Sequence, residues 1–143
     1  MPVYKAPVDD TMFLLFDVFG MDRYNNLPGF EDASADMVEA ILGEAARLCE
    51  EVTHPLNATG DTEGCTRHDD GRVTTPAGFD TAYKTYLEGG WNGLAADPDF
   101  GGQGLPYTLA ASVNEFMSSA NMAFSMYPGL TQGAIAALQV HGT

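Results

Sequence analysis

The chain has 143 residues, enough for one domain with its own core, and its hydrophobic content of 45% argues against wholesale disorder. Twenty acidic residues against six basic ones give a net charge of −14, which repels phosphate backbones and disfavours nucleic-acid binding. No apolar run reaches the roughly 18 residues that read as a bilayer span, and Met1–Lys5 lacks the build of a signal peptide, so a cytoplasmic protein is expected.

Helical periodicity dominates the chain. A first short helix is predicted from about Asp9, with Met12, Phe16 and Phe19 at spacings of four and three and Asp9 or Asp10 capping it. Gly20 and Asn25-Asn26-Leu27-Pro28-Gly29 then break it, leaving an apolar arm. The second helix has the clearest pattern. Ser34 is its N-cap, and Val38, Ile41, Leu42, Ala45, Leu48, Cys49 and Val52 form one apolar face, with Pro55 ending or kinking it.

Residues 57–75 read as a polar loop broken by Gly60, Gly64 and Gly71, with a short strand or turn near Arg72-Val73. Pro76 suits the first turn of a third helix whose apolar face is Phe79, Ala82, Tyr83, Tyr86 and Leu87, stopped by Gly89-Gly90. A glycine- and aspartate-rich loop runs from Trp91 to Leu105. Pro106 opens a fourth helix carrying Leu109, Val113, Phe116, Met117 and Ala120, and Asn121 caps the next turn. Pro128 and Gly129 interrupt, and a last helix runs to about Val140. Leu130, Gly133, Ala134, Ile135, Ala136, Ala137 and Leu138 leave it apolar or small nearly all round, which belongs in a packed centre. The fold class is all-α, with five or six helices, and the chain ends as though cut.

The chemistry-bearing residues are few. Gly101-Gly102-Gln103-Gly104 has no hydrophobic strand before it and no Gly-Lys-Ser/Thr after it, and Tyr107 takes the last position of Gly-x-Gly-x-x-Gly. It reads as a tight helix-to-helix connection, with no cofactor site. Asp61, Glu63, Cys65, His68, Asp69 and Asp70 match neither a calcium loop nor zinc-ligand spacing, so they read as a solvated acidic loop, with no metal expected. Cys49 reads as a buried small hydrophobe, and Met117, Met122 and Met126 as core filler. Neither His54 nor His141 has a recognisable serine or cysteine nucleophile beside it. From the residues alone this is an acidic helical domain with an unfinished apolar face and no evident reaction.

Gly90-Trp91-Asn92-Gly93-Leu94, followed by Asp97-Pro98-Asp99-Phe100-Gly101-Gly102-Gln103-Gly104-Leu105, resembles the paired glycine turns of the acyl-CoA dehydrogenase family. Glu115-Phe116-Met117, Ala120-Asn121 and the stretch from Ala134-Ile135 to His141-Gly142-Thr143 are similar to that family's next two helices. Tyr4-Lys5-Ala6-Pro7, Asp10, Phe13-Leu14 and Val18-Phe19 resemble the extra N-terminal arm of a bacterial subgroup.

The resemblance implies a division into an arm, 1–30, and an N-terminal helical domain, 31–143, cut before a middle β-domain and a C-terminal helical bundle. It implies FAD held by those later parts and a glutamate there that takes the α-proton of an acyl thioester while hydride leaves the β-carbon. It further implies an acyl-CoA substrate, an electron-transfer acceptor protein and a homo-oligomer, with no catalytic residue in this stretch. Carried over by position, Ser125, Gly129, Leu130 and Gly133 would bind substrate by closing the far end of the acyl pocket, although the same small residues also suit plain helix packing. The family often has a polar or acidic residue where Gly129 stands and a histidine near Tyr127-Pro128, so this chain departs from the pattern there. The rival reading is a freestanding acidic module that binds a protein partner.

Overall fold

The computed structural model describes residues 3–142. Six α-helices account for half of it: α1 (Val8–Met12), α2 (Ala35–Arg47), α3 (Leu56–Glu63), α4 (Phe79–Glu88), α5 (Tyr107–Ala120) and α6 (Met122–His141). One small antiparallel hairpin joins β1 (Thr66–Arg67) to β2 (Val73–Thr74), with Thr66 opposite Thr74 and Arg67 opposite Val73. The all-α reading holds.

The centre is built from α2 and α5, the two helices whose apolar spacing is most regular. Ser34 caps α2 by accepting from the Met37 amide at 3.4 Å, and Val38, Leu42, Ala45 and Cys49 are fully buried. Leu109, Val113, Phe116, Met117 and Ala120 of α5 are buried against them. Phe79, Ala82 and Tyr86 of α4 and Phe124 of α6 complete the core. The Phe124 ring lies 6.0–6.3 Å from those of Phe79, Tyr83, Tyr86 and Tyr127, within the range in which aromatic pairs attract.

Two stretches widen to π-helix, Phe13–Val18 after α1 and Leu48–Thr53 after α2. At the end of the second, Thr53 is buried and its carbonyl accepts from Asn121 Nδ2 at 2.9 Å. Asn121 Oδ1 accepts from the Phe124 amide at 3.0 Å, so one buried side chain caps α6 and ties it to a segment 68 residues earlier.

Several expectations are corrected. Asp9 and Asp10 lie in the first turn of α1, whose N-cap residue is Pro7, so neither is the cap. Leu15 and Met21 are the arm's buried anchors, whereas Phe19 is 61% exposed. The polar stretch after Pro55 contains α3, with Gly60 inside it. A Cβ on Gly60 would stand 2.9 Å from Phe79 Cζ, so close packing accounts for the glycine. Leu87 is exposed, as are Met122 and Met126, so these are not core residues.

Pro128 does not interrupt α6. It sits buried inside a continuous helix, where its ring burial offsets the missing amide. The apolar last helix is not in a packed centre in this chain either: Leu130, Leu138 and Val140 are largely exposed.

Candidate functional site

The loop between α4 and α5 folds back on itself through backbone hydrogen bonds. The Gln103 amide donates to the Gly93 carbonyl, Gly104 to Ala96 and Leu105 to Leu94. Gln103 Nε2 also donates to the Gly90 carbonyl at 3.0 Å. A Cβ on Gly102 would lie 2.0 Å from the Ala96 carbonyl oxygen, so only glycine permits this approach. The amides of the glycine run are therefore spent inside the loop, and the run does not fit a phosphate or a flavin. The connection predicted from sequence is what forms, and it holds residues 92–96 against α5 and α6.

A groove of about 300 Å³ opens there. Its α6 wall is Gly129, Gln132, Gly133, Ile135, Ala136 and Gln139. These positions recur at helical spacing on one face. Opposite stand Tyr107, Ala110 and Asn114 of α5, and the folded loop closes it with Asn92, Leu94, Ala95 and Ala96. A Cβ on Gly129 or on Gly133 would meet nothing within 4 Å, so both glycines leave open space.

The four residues singled out from sequence divide. Gly129 and Gly133 line the groove; Ser125 and Leu130 do not. The Ser125 hydroxyl donates to the Met122 carbonyl at 2.9 Å and accepts from Ser118 Oγ at 3.2 Å, which holds it to its own helix and to α5. Leu130 lies off the groove face of α6 and is 76% exposed.

Four carboxamides in the lining escaped the sequence reading: Asn92, Asn114, Gln132 and Gln139. Asn114 Nδ2 donates to Gln132 Oε1 at 3.4 Å, and Gln132 Nε2 donates to the Tyr86 hydroxyl at 3.5 Å, both long contacts. Burial pushes the Tyr86 phenol well above its ordinary range, with the Tyr83 hydroxyl adding to the rise, so Tyr86 stays neutral. Their only signal in the sequence was polar residues on a face otherwise small and apolar. The lining holds no carboxylate, imidazole or thiol, so the groove offers shape and hydrogen bonds and does not move protons by those groups.

Other candidates are placed elsewhere. Burial raises the Cys49 thiol to about 12, with Glu50 adding to it, which leaves it an inert core residue. Half of the acidic cluster is engaged locally: Asp70 pairs with Arg72 at 2.6 Å, His68 Nε2 with Thr74 Oγ1 at 2.6 Å, and Glu63 accepts from the Ala77 amide at 2.8 Å. Among the described residues no three His, Cys, Asp or Glu side chains stand together as metal ligands. His54 accepts from the Tyr4 amide at 3.4 Å and serves the arm. A larger groove, about 600 Å³, lies between α2 and α4, but its rim is charged with Glu44, Arg47, Glu51 and Glu88. Among the described residues no helix is long and apolar enough to cross a membrane.

The paired glycine turns, the helix they lead into and the fold around them define a class. Residues 36–143 match the family model of the acyl-CoA dehydrogenase N-terminal domain, and the chain belongs to that family. It is 39% identical over 140 residues to 3-methylmercaptopropionyl-CoA dehydrogenase of Ruegeria pomeroyi, an alignment covering 98% of this chain and 24% of that protein. Butyryl-CoA dehydrogenase of Syntrophomonas wolfei is 30% identical over 139 residues, covering 95% and 23%. A broad-specificity linear acyl-CoA dehydrogenase of Mycobacterium tuberculosis is 29% identical over 133 residues, covering 90% and 21%. The chain thus spans about a quarter of the length of these relatives.

Proposed function

We propose that this chain is the N-terminal part of an FAD-dependent acyl-CoA dehydrogenase, an oxidoreductase that removes hydrogens from the α and β carbons of an acyl-CoA thioester. The observation that carries the reading is the groove, where Gly129 and Gly133 leave room for a chain on the α6 face that also carries Gln132, Ile135, Ala136 and Gln139. Residues 1–30 serve as an arm clasped to α2, and 31–143 as the helical domain. The arm is held where Glu50 accepts from the Ala6 amide at 3.1 Å and pairs with Lys5. The groove walls the acyl chain, excludes water from it and limits its length. FAD, the electron-acceptor protein and the homo-oligomer follow from the family. The glycine run of this chain does not fit the flavin, and the part in the reaction proposed for this stretch is to bind and orient the acyl group.

The test is Gly129→Leu in the complete enzyme. A leucine there fills the groove, and kcat/KM for long acyl chains should fall by about tenfold to a hundredfold while short chains change little. Ser125 and Leu130 lie off the groove, so Leu130→Ala should leave the chain-length profile unchanged. Equal loss at every chain length after Gly129→Leu would remove the groove from the acyl site.

A further inference from the structure

The groove contains more hydrogen-bonding capacity than a plain hydrocarbon chain can use. Asn92 forms part of its wall, yet Asn92 Oδ1 is buried and no donor reaches it among the described residues. The Asn114–Gln132 contact across the groove is long, at 3.4 Å, and so is the Gln132–Tyr86 contact, at 3.5 Å. An alkyl chain lying here would leave the Asn92 oxygen unpaired and take solvent from the Asn114 and Gln132 amides without replacing it, whereas a group with its own polar atom would complete them. The Asn92 amide can turn into the groove about its terminal torsion, which is soft. On the facing α6 wall Gly129, Gly133 and Ala136 leave room for an occupant, while Gln132 and Gln139 add polar groups beside that space.

We infer that Asn92 is a specificity-determining residue and that the groove takes acyl groups bearing a polar, hydrogen-bonding atom near the far end in preference to plain alkyl chains. This rests on the reading of the groove as the acyl site. Asn114 and Gln132 form the second half of the polar contact, placed by α5 and α6 on the facing side.

The experiment uses the complete flavoenzyme and two nearly isosteric probes, ω-hydroxyhexanoyl-CoA and heptanoyl-CoA, with the shorter pair ω-hydroxybutyryl-CoA and pentanoyl-CoA alongside. The wild-type ratio of kcat/KM, hydroxylated over alkyl, should exceed unity for at least one pair. Asn92→Leu, close in size but without a polar atom, should lower that ratio by about tenfold or more, mainly through better use of the alkyl substrate. If Asn92→Leu fails to fold, Gln132→Leu on the helical wall is expected to shift the ratio in the same direction. A wild-type ratio at or below unity for both pairs overturns the inference, as does a ratio unmoved by the substitution. In either case turnover of the alkyl probes leaves the acyl-CoA reading standing. An enzyme that oxidises none of the four probes and no other acyl-CoA overturns both.

Discussion

Asn121 is the point at which the fold can be tested most sharply. Its side chain is 1% exposed, caps α6 through Oδ1, and donates from Nδ2 to the Thr53 carbonyl across 68 residues of sequence. Asn121→Ala removes both bonds. Loss of an N-cap costs about 1 kcal/mol, and an orphaned buried carbonyl costs about 1–3 kcal/mol, because no water reaches Thr53 to replace the donor. The expected destabilisation is therefore about 2–4 kcal/mol, a large share of the roughly 5–15 kcal/mol typical of a domain.

Urea unfolding followed by circular dichroism measures it. The midpoint should fall by about 1–2 M with the slope unchanged, given a slope near 2 kcal/mol/M. Asn121→Ser keeps a capping oxygen but loses the reach to Thr53, so it should fall between the wild type and the alanine variant. If the alanine variant loses less than about 0.5 kcal/mol, the size of an ordinary surface change, or if serine matches the wild type, the tie is not the joint described above.

Two further perturbations address the loop and the arm. Gly102→Ala places a methyl 2.0 Å from a backbone oxygen that cannot swing aside, so the melting temperature should drop by several degrees and the groove wall at 92–96 should shift. An unchanged melting curve would mean that the loop has another arrangement. The Glu50 carboxyl is held below its ordinary range chiefly by its hydrogen bond from Lys5; burial opposes this, and the Ala6 amide and the Lys5 charge add to the lowering. A depressed carboxylate gives stability that is present above its unfolded value, near 4, and is lost as the pH falls through the lower folded value. Ala6 amide exchange should therefore stay protected at neutral pH and open only below that range. Glu50→Gln should abolish the pH dependence, whereas release of the arm already above pH about 5 would contradict the assignment.

The parts of the fold legible in the sequence are those where one physical signal dominates. The apolar stripes of α2 and α5, the Ser34 and Asn121 caps and the glycine connection after Trp91 are all formed as read. The illegible parts are those where tertiary packing overrides a local signal. α3 has no apolar stripe and contains a glycine, and it is helical beside Phe79, which that glycine lets approach. Pro128 reads as a break, yet it is buried within a helix whose start is fixed by Asn121. Of the four site residues named from sequence, two line the groove, Gly129 and Gly133, which stand out as small residues at spacing four. Asn92 was hidden inside a turn motif, and Asn114 and Gln132 become neighbours only when α6 lies against α5.

The division within α6 has a consequence for how the chain opens. Up to Pro128 the helix is sewn to the core by Asn121 and Phe124, whereas beyond it only Gln132 and Ile135 are partly buried and the other side chains are exposed. A short helical stretch without packing lives on its own propensity, which is marginal below about 12–15 residues. Gly129 and Gly133 weaken it by about 1 kcal/mol each. The amides of α6 should thus exchange in two tiers, the inner turns at the free energy of global unfolding and the outer turns far sooner. The seam between the tiers falls at Gly129, on the wall of the groove. Whatever fills the groove leans on the outer tier and steadies it, so occupancy and helix order are thermodynamically linked, and slowed exchange beyond Gly129 would report a bound ligand without any assay of turnover.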